Sequence, residues 1–198
     1  YWRCFDKNWS QKEFFEYGKF VDKNLIKYPE DKVIKLSDKK NKKITLGILS
    51  ADLKAGHSIT YFLKTILLNY NKDEIEIYLF SNQIDNNVIS SEIIGLVYKT
   101  INISKLSELN ALNKIREFNL DIMIDVMGYT SRNRIGLFKN RVAKKQVIWM
   151  GYCNTSGLKN MDYIITDPNL IIPGEENFFA EKVIYLPEIW NCHCGFDF

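Results

Sequence analysis

Two histidines occur in this sequence, and one of them, His57, stands where a ring could do chemistry. It lies in "DLKAGHSITYF", at the point where an apolar strand gives way to a helical pattern. The positive end of a helix dipole disfavours the imidazolium form. A histidine there keeps a neutral ring able to accept a proton, the state a general base requires. The position equally suits a histidine that caps the helix or sits satisfied at the surface. Asp52, five residues earlier, can accept hydrogen bonds from the loop's N–H groups or help relay a proton. An aspartate in such a loop is also an ordinary turn residue.

Two further loops offer polar groups. In "GYTSRNR" (128–134) Gly128 suits a tight bend, Thr130 is placed to cap the helix that follows, and Arg134 falls one turn into it. An arginine there could hold a phosphate or an acceptor carbonyl, or simply be solvated. In "GYCNTSG" (151–157) Gly151 and Gly157 frame Asn154, Thr155 and Ser156. These can supply backbone donors to a polar ligand, or form nothing more than a turn. The loop contains no GxGxxG, so it gives little support to a dinucleotide cradle. In "WNCHCGF" the adjacent Cys192, His193 and Cys194 have the wrong spacing for a tetrahedral structural site, and no metal is expected.

These loops must be held by regular elements, and the pattern supplies them. Ser10 and Glu13 form a capping box, and Phe14, Tyr17, Val21 and Leu25 follow at helical spacing before Pro29. Residues 29–43 read as a polar, lysine-rich connector, so residues 1–42 are a helical arm and linker. From residue 43 to 198 strand and helix alternate. Strands are expected at 43–50, 74–82, 100–104, 120–127, 145–150, 162–167 and 181–187, with helices at 58–70, 88–98, 105–119 and 133–141. This predicts an α/β fold with a doubly wound, Rossmann-like parallel sheet, whose polar loops converge beyond the carboxyl ends of the strands.

Composition narrows the class. A chain of 198 residues that is 46% hydrophobic and 26% charged has room for one sizeable core. Its longest apolar runs are strand-length, far below the roughly 20 residues that cross a bilayer. Net charge is +3 with scattered lysines, so no basic footprint for nucleic acid is present. Cys4, Cys153, Cys192 and Cys194 read as reduced thiols of a cytoplasmic protein. The chain opens on Tyr1 rather than Met, which suggests a piece of a longer polypeptide.

The stretches "DLKAGHSITYFL", "DVMGYTSRNRIGLF", "QVIWMGYCNTSG" and "MDYIITDP", in this order and spacing, resemble the amino-terminal catalytic lobe of the O-linked N-acetylglucosamine transferases, glycosyltransferase family 41, of the bacterial or SPINDLY-like kind. The resemblance implies a GT-B architecture of two Rossmann-like lobes. It also implies transfer of N-acetylglucosamine from its uridine diphosphate carrier to a Ser or Thr hydroxyl, with inversion and with neither metal nor cofactor. The implied partners are the nucleotide sugar, an acceptor protein or peptide, upstream tetratricopeptide repeats and a second, nucleotide-binding lobe. His57 falls on the family's active-site histidine and Asp52 on the aspartate proposed to assist proton removal. Tyr129 and Met150 match residues lining the sugar and acceptor side; Thr130, Arg134, Gly151 and Tyr152 accompany them, and Trp190 lies near a similarly placed aromatic. Three positions depart from the pattern: the Asp-to-His loop is one residue longer, Cys153 replaces a proline, and Tyr17 stands where bacterial relatives carry His. Two alternatives stay open, a related glucosyltransferase acting on Asn and a non-catalytic partner-binding lobe.

Overall fold

The computed structural model describes residues 9–38, 42–84 and 91–193. It contains seven strands, β1 (Ile44–Ser50), β2 (Ile75–Ser81), β3 (Lys99–Asn102), β4 (Ile122–Asp125), β5 (Lys145–Ile148), β6 (Tyr163–Thr166) and β7 (Lys182–Tyr185). They form one sheet in the order β3-β2-β1-β4-β5-β6-β7, every neighbouring pair parallel. The expected doubly wound fold is present. After β3 the chain returns to the centre to place β4 beside β1, so the order reverses there and opens a crevice at the strands' carboxyl ends.

Parallel strands covered on both faces read as nearly continuous apolar runs, and "ITLGILS" and "IEIYLFS" do so. Alternate residues feed two cores. Leu49, Phe80, Met123 and Ile148 point to one, which is closed by α1 (Gln11–Asn24), α4 (Glu108–Arg116) and α5 (Ile135–Lys139). Ile48, Leu79, Ile124 and Val147 point to the other, under α2 (Ser58–Asn69) and the short α3 (Ser91–Ile94).

The α1 capping box forms as expected: Ser10 Oγ accepts from Glu13 N, and Glu13 Oε2 accepts from Ser10 N at 2.7 Å. Two elements differ from expectation. Of the helix expected at 88–98, the described part is helical only from Ser91 to Ile94, just before Gly95; residues 88–90 lie outside the described residues, as does Cys194. The helix after β4 begins at Ile135, so Arg134 is its N-cap residue rather than one turn inside it. Thr130 does not cap that helix. Its Oγ1 donates to Met127 O at 2.7 Å and closes the preceding turn, while Asn133 Oδ1 takes the Ile135 N–H. No helix among the described residues is long and apolar enough to cross a membrane.

Candidate active site

The carboxyl ends of β1 and β4 bring Asp52, His57 and Arg132 together. His57 is the N-cap residue of α2, and its Nδ1 accepts the Ile59 N–H at 3.3 Å. That bond fixes the tautomer: the neutral ring carries its proton on Nε2, which lies 3.9 Å from Asp52 Oδ1. His57 is therefore both a helix cap and a member of the cluster, and toward Asp52 it presents a donor. The backbone of Asp52 is fixed from both sides, its N–H donating to Ser50 Oγ at 3.0 Å and its carbonyl accepting from Thr60 Oγ1 at 3.4 Å.

The loop after β4 is organised by a buried acid. Asp125 accepts from Met127 N at 2.9 Å and Gly128 N at 3.1 Å. Burial, only partly opposed by these two donors, pushes its carboxyl up to about 7. The loop then turns back so that Arg132 Nη2 reaches Asp52 Oδ1 at 3.4 Å across the point where the strand order reverses. Sequence reasoning passed over both residues. The signal for Asp125 was an Asp two residues before a backbone donor at a strand end, the spacing of an Asx turn; Arg132 carried no local signal.

"GYCNTSG" turns its polar groups inward. Gly151 presses on the β4 loop so closely that a Cβ there would lie 1.6 Å from Val126 O, which only glycine allows. Thr155 and Ser156 are buried and bind the enclosed Glu181. Thr155 Oγ1 donates to Glu181 Oε2 at 2.7 Å, and Ser156 N donates to Oε1 at 2.8 Å, joined by the Ser156 hydroxyl in a short bond. Burial pushes the Glu181 carboxyl up against the pull of these donors. The expectation that this stretch offers its backbone donors to a ligand is corrected here: Thr155 N, Gly157 N and Leu158 N bind side-chain oxygens of the loop itself, and Ser156 N binds Glu181.

The other candidate residues are dispersed. Tyr129 is buried, donates its hydroxyl to Ser156 O, and meets Tyr17 and Tyr152 edge-on at 6.1 and 5.6 Å. Tyr152 shares that core, whereas Met150, at a left-handed φ of 72°, packs into the opposite one. Arg134 binds Glu108 Oε2 at 2.7 Å, and its remaining contacts go to Asn82 and the carbonyls of Ile103 and Leu106. Burial pushes the Glu108 carboxyl up, against the opposing pull of this guanidinium. Trp190 takes the Trp149 indole N–H on its carbonyl at 2.6 Å and donates its own N–H to Asp167. Burial pushes the Asp167 carboxyl up, but the N–H groups of Trp190, Asn169 and Leu170 outweigh it and hold the acid below its ordinary range. His193 stacks on Tyr61 of α2 at 5.5 Å. Among the described residues no group of three or more His, Cys, Asp or Glu is placed to hold a metal ion.

A doubly wound parallel sheet of this order, with an acid, an imidazole and a guanidinium at its strand-order reversal, belongs to the Rossmann-like class. Residues 15–193 match Glycosyl transferase family 41, and the chain belongs to that family. It is 29% identical over 154 residues, 76% of its length, to a probable UDP-N-acetylglucosamine--peptide N-acetylglucosaminyltransferase SPINDLY of Arabidopsis thaliana, of which it covers 17%. With the Solanum lycopersicum protein of the same name identity is 26% over 94% of the chain and 19% of that protein. A UDP-N-acetylglucosamine--peptide N-acetylglucosaminyltransferase of Caenorhabditis elegans is 28% identical over 77% of the chain and 13% of its own length. The chain thus spans less than a fifth of these relatives. An O-GlcNAc transferase structure from Thermobaculum terrenum superposes with a TM-score of 0.81 at 19% identity, over 94% of this chain and 36% of that one, which shows the shared fold.

Proposed function

We propose that this chain is the amino-terminal lobe of an inverting protein O-glycosyltransferase that moves N-acetylglucosamine from uridine diphosphate N-acetylglucosamine to a Ser or Thr hydroxyl of an acceptor protein. The observation that carries the reading is the family match over residues 15–193. In this reaction the acceptor oxygen attacks the anomeric carbon opposite the diphosphate, the bond from that carbon to the diphosphate oxygen breaks, and the hydroxyl proton leaves toward the protein. Asp52 acts as the receiving group, with the His57 ring facing Oδ1 and the proton passing to Oδ2. Charge developing on the diphosphate is stabilised by a second lobe. Tyr129, Thr130, Arg134, Met150, Gly151, Tyr152 and Trp190 support the substrate side by shaping the loops around the pair. The full-length protein carries tetratricopeptide repeats before this lobe, works in the cytoplasm, and needs neither metal nor cofactor.

The test is turnover of the full-length enzyme with uridine diphosphate N-acetylglucosamine and a Ser/Thr acceptor. His57→Ala should lower kcat by about 10²-fold, the scale of a misplaced reacting group, with donor binding little changed and circular dichroism equal. Near-equal turnover would remove His57 from the mechanism. Glucose transfer to Asn instead would move the protein to the related activity, and an inert full-length protein would make it a binding module.

A further inference from the structure

Arg132 is exposed, yet its backbone is held in one conformation. Its backbone lies in the left-handed region at φ 59°, a conformation that residues with a Cβ adopt at some strain and that glycine takes freely. Its carbonyl accepts from Asn82 Nδ2 at 2.8 Å, which ties the bend to the end of β2. From that anchored position Nη2 reaches Asp52 Oδ1 at 3.4 Å. Oδ1 is also the atom that faces His57 Nε2, whereas no donor among the described residues reaches Oδ2. Since the Asp52 main chain is fixed by Ser50 and Thr60, the side-chain torsions are what remains to be set, and the two contacts on Oδ1 set them.

We infer that Arg132 is a positioning residue of the transfer site, pinning Asp52 Oδ1 so that Oδ2 is presented to the acceptor hydroxyl. The inference rests on the glycosyltransferase reading above and assigns Arg132 no substrate contact of its own. A carboxylate that turns freely presents its acceptor lone pair in the reactive direction only part of the time, and small misplacements of a reacting group carry large rate penalties.

Arg132→Gly in the full-length enzyme separates this role from a merely structural one, because activity and stability should move in opposite directions. Glycine relieves the left-handed strain, so the melting temperature should hold or rise, while kcat falls by about tenfold or more and KM for the nucleotide sugar stays within about twofold. Arg132→Lys, which restores a cation on a flexible stem, should recover part of kcat. In an Asp52→Asn background, Arg132→Gly should change the residual rate by less than about twofold, since residues acting through one another are not additive. Unchanged kcat in the single variant overturns the inference, as does a raised KM at constant kcat, which would make Arg132 a direct contact to the donor's diphosphate. Penalties that multiply in the double variant overturn it while leaving the glycosyltransferase reading intact. An unmodified enzyme inert toward every Ser and Thr acceptor overturns both.

Discussion

Asp125 ends β4 fully enclosed, with two backbone donors and no cation at its carboxyl among the described residues. Its folded value near 7 lies above the ordinary 3.8, so between those values the folded state binds the proton more firmly than the unfolded one. The associated stability is fully present below about pH 4 and is lost as pH rises through about 7, a change on the order of 4 kcal/mol. Asp125→Asn should therefore narrow its disadvantage, or gain an advantage, relative to the unmodified protein as pH increases from 4 to 8; urea unfolding across that range reads the difference, and a pH-independent gap would contradict the assignment. Glu181 makes a second residue-scale case. Thr155 Oγ1 already accepts N–H groups from Gly157 and Ala180, so its own proton needs the Glu181 oxygen. Glu181→Gln puts a donor among donors and should destabilise the protein by about 1–3 kcal/mol, read as a lower urea midpoint at unchanged slope.

Among the elements, α1 is bound to the rest of the lobe by backbone contact as well as by side chains. Gly18 of α1 and Gly157, at φ 68°, meet so closely that a Cβ on Gly18 would lie 2.7 Å from both Gly157 Cα and Ser156 O. Tyr17 continues the contact into Tyr129, and Gln11 Nε2 donates to Asn154 Oδ1. The helical arm thus packs on the "GYCNTSG" loop that Glu181 also holds. Gly18→Ala gives this docking a sign test. In a free helix alanine is favoured over glycine by about 1 kcal/mol, whereas overpacking against backbone costs about 1–3 kcal/mol. The substitution should lower stability in chemical denaturation. A stabilised variant would mean that the arm is not seated on the loop.

At the scale of the whole molecule, both cores are built on the same strands, since Leu49 and Ile48, Phe80 and Leu79, Met123 and Ile124 face opposite sides of one sheet. Loss of either core exposes the strands that support the other. The chain should unfold in one cooperative transition, with far-UV circular dichroism and tryptophan fluorescence giving coincident curves; two separated transitions would argue for independent units. On the proposed reading a second lobe completes the crevice beyond β1 and β4, so residues 1–198 by themselves should transfer no sugar, because orienting a donor against an acceptor needs walls on both sides. In the full-length enzyme, chelation of divalent ions should leave turnover unchanged, and an activity restored only by added metal would refute the metal-free reading.

Much of the architecture was legible in the residues because its causes are local. The Ser10 and Glu13 capping box, the apolar runs of β1, β2 and β4, and the switch from strand to helix at His57 each depend on neighbours a few positions away. Alternation of the two element types from β1 to β5 then makes that part of the sheet parallel and sends His57, Gly128 and Gly151 to one edge. What only the tertiary structure decided is the pairing of distant positions. Arg132 meets Asp52 across 80 residues, and Glu181 meets Ser156 across 25. No periodicity marks such pairs, since a loop's path and the depth at which an acid is enclosed follow from how the elements pack. The inward turn of Thr155 and Ser156 has the same origin: the identity of a polar residue shows what it can bond, and only the fold selects the partner.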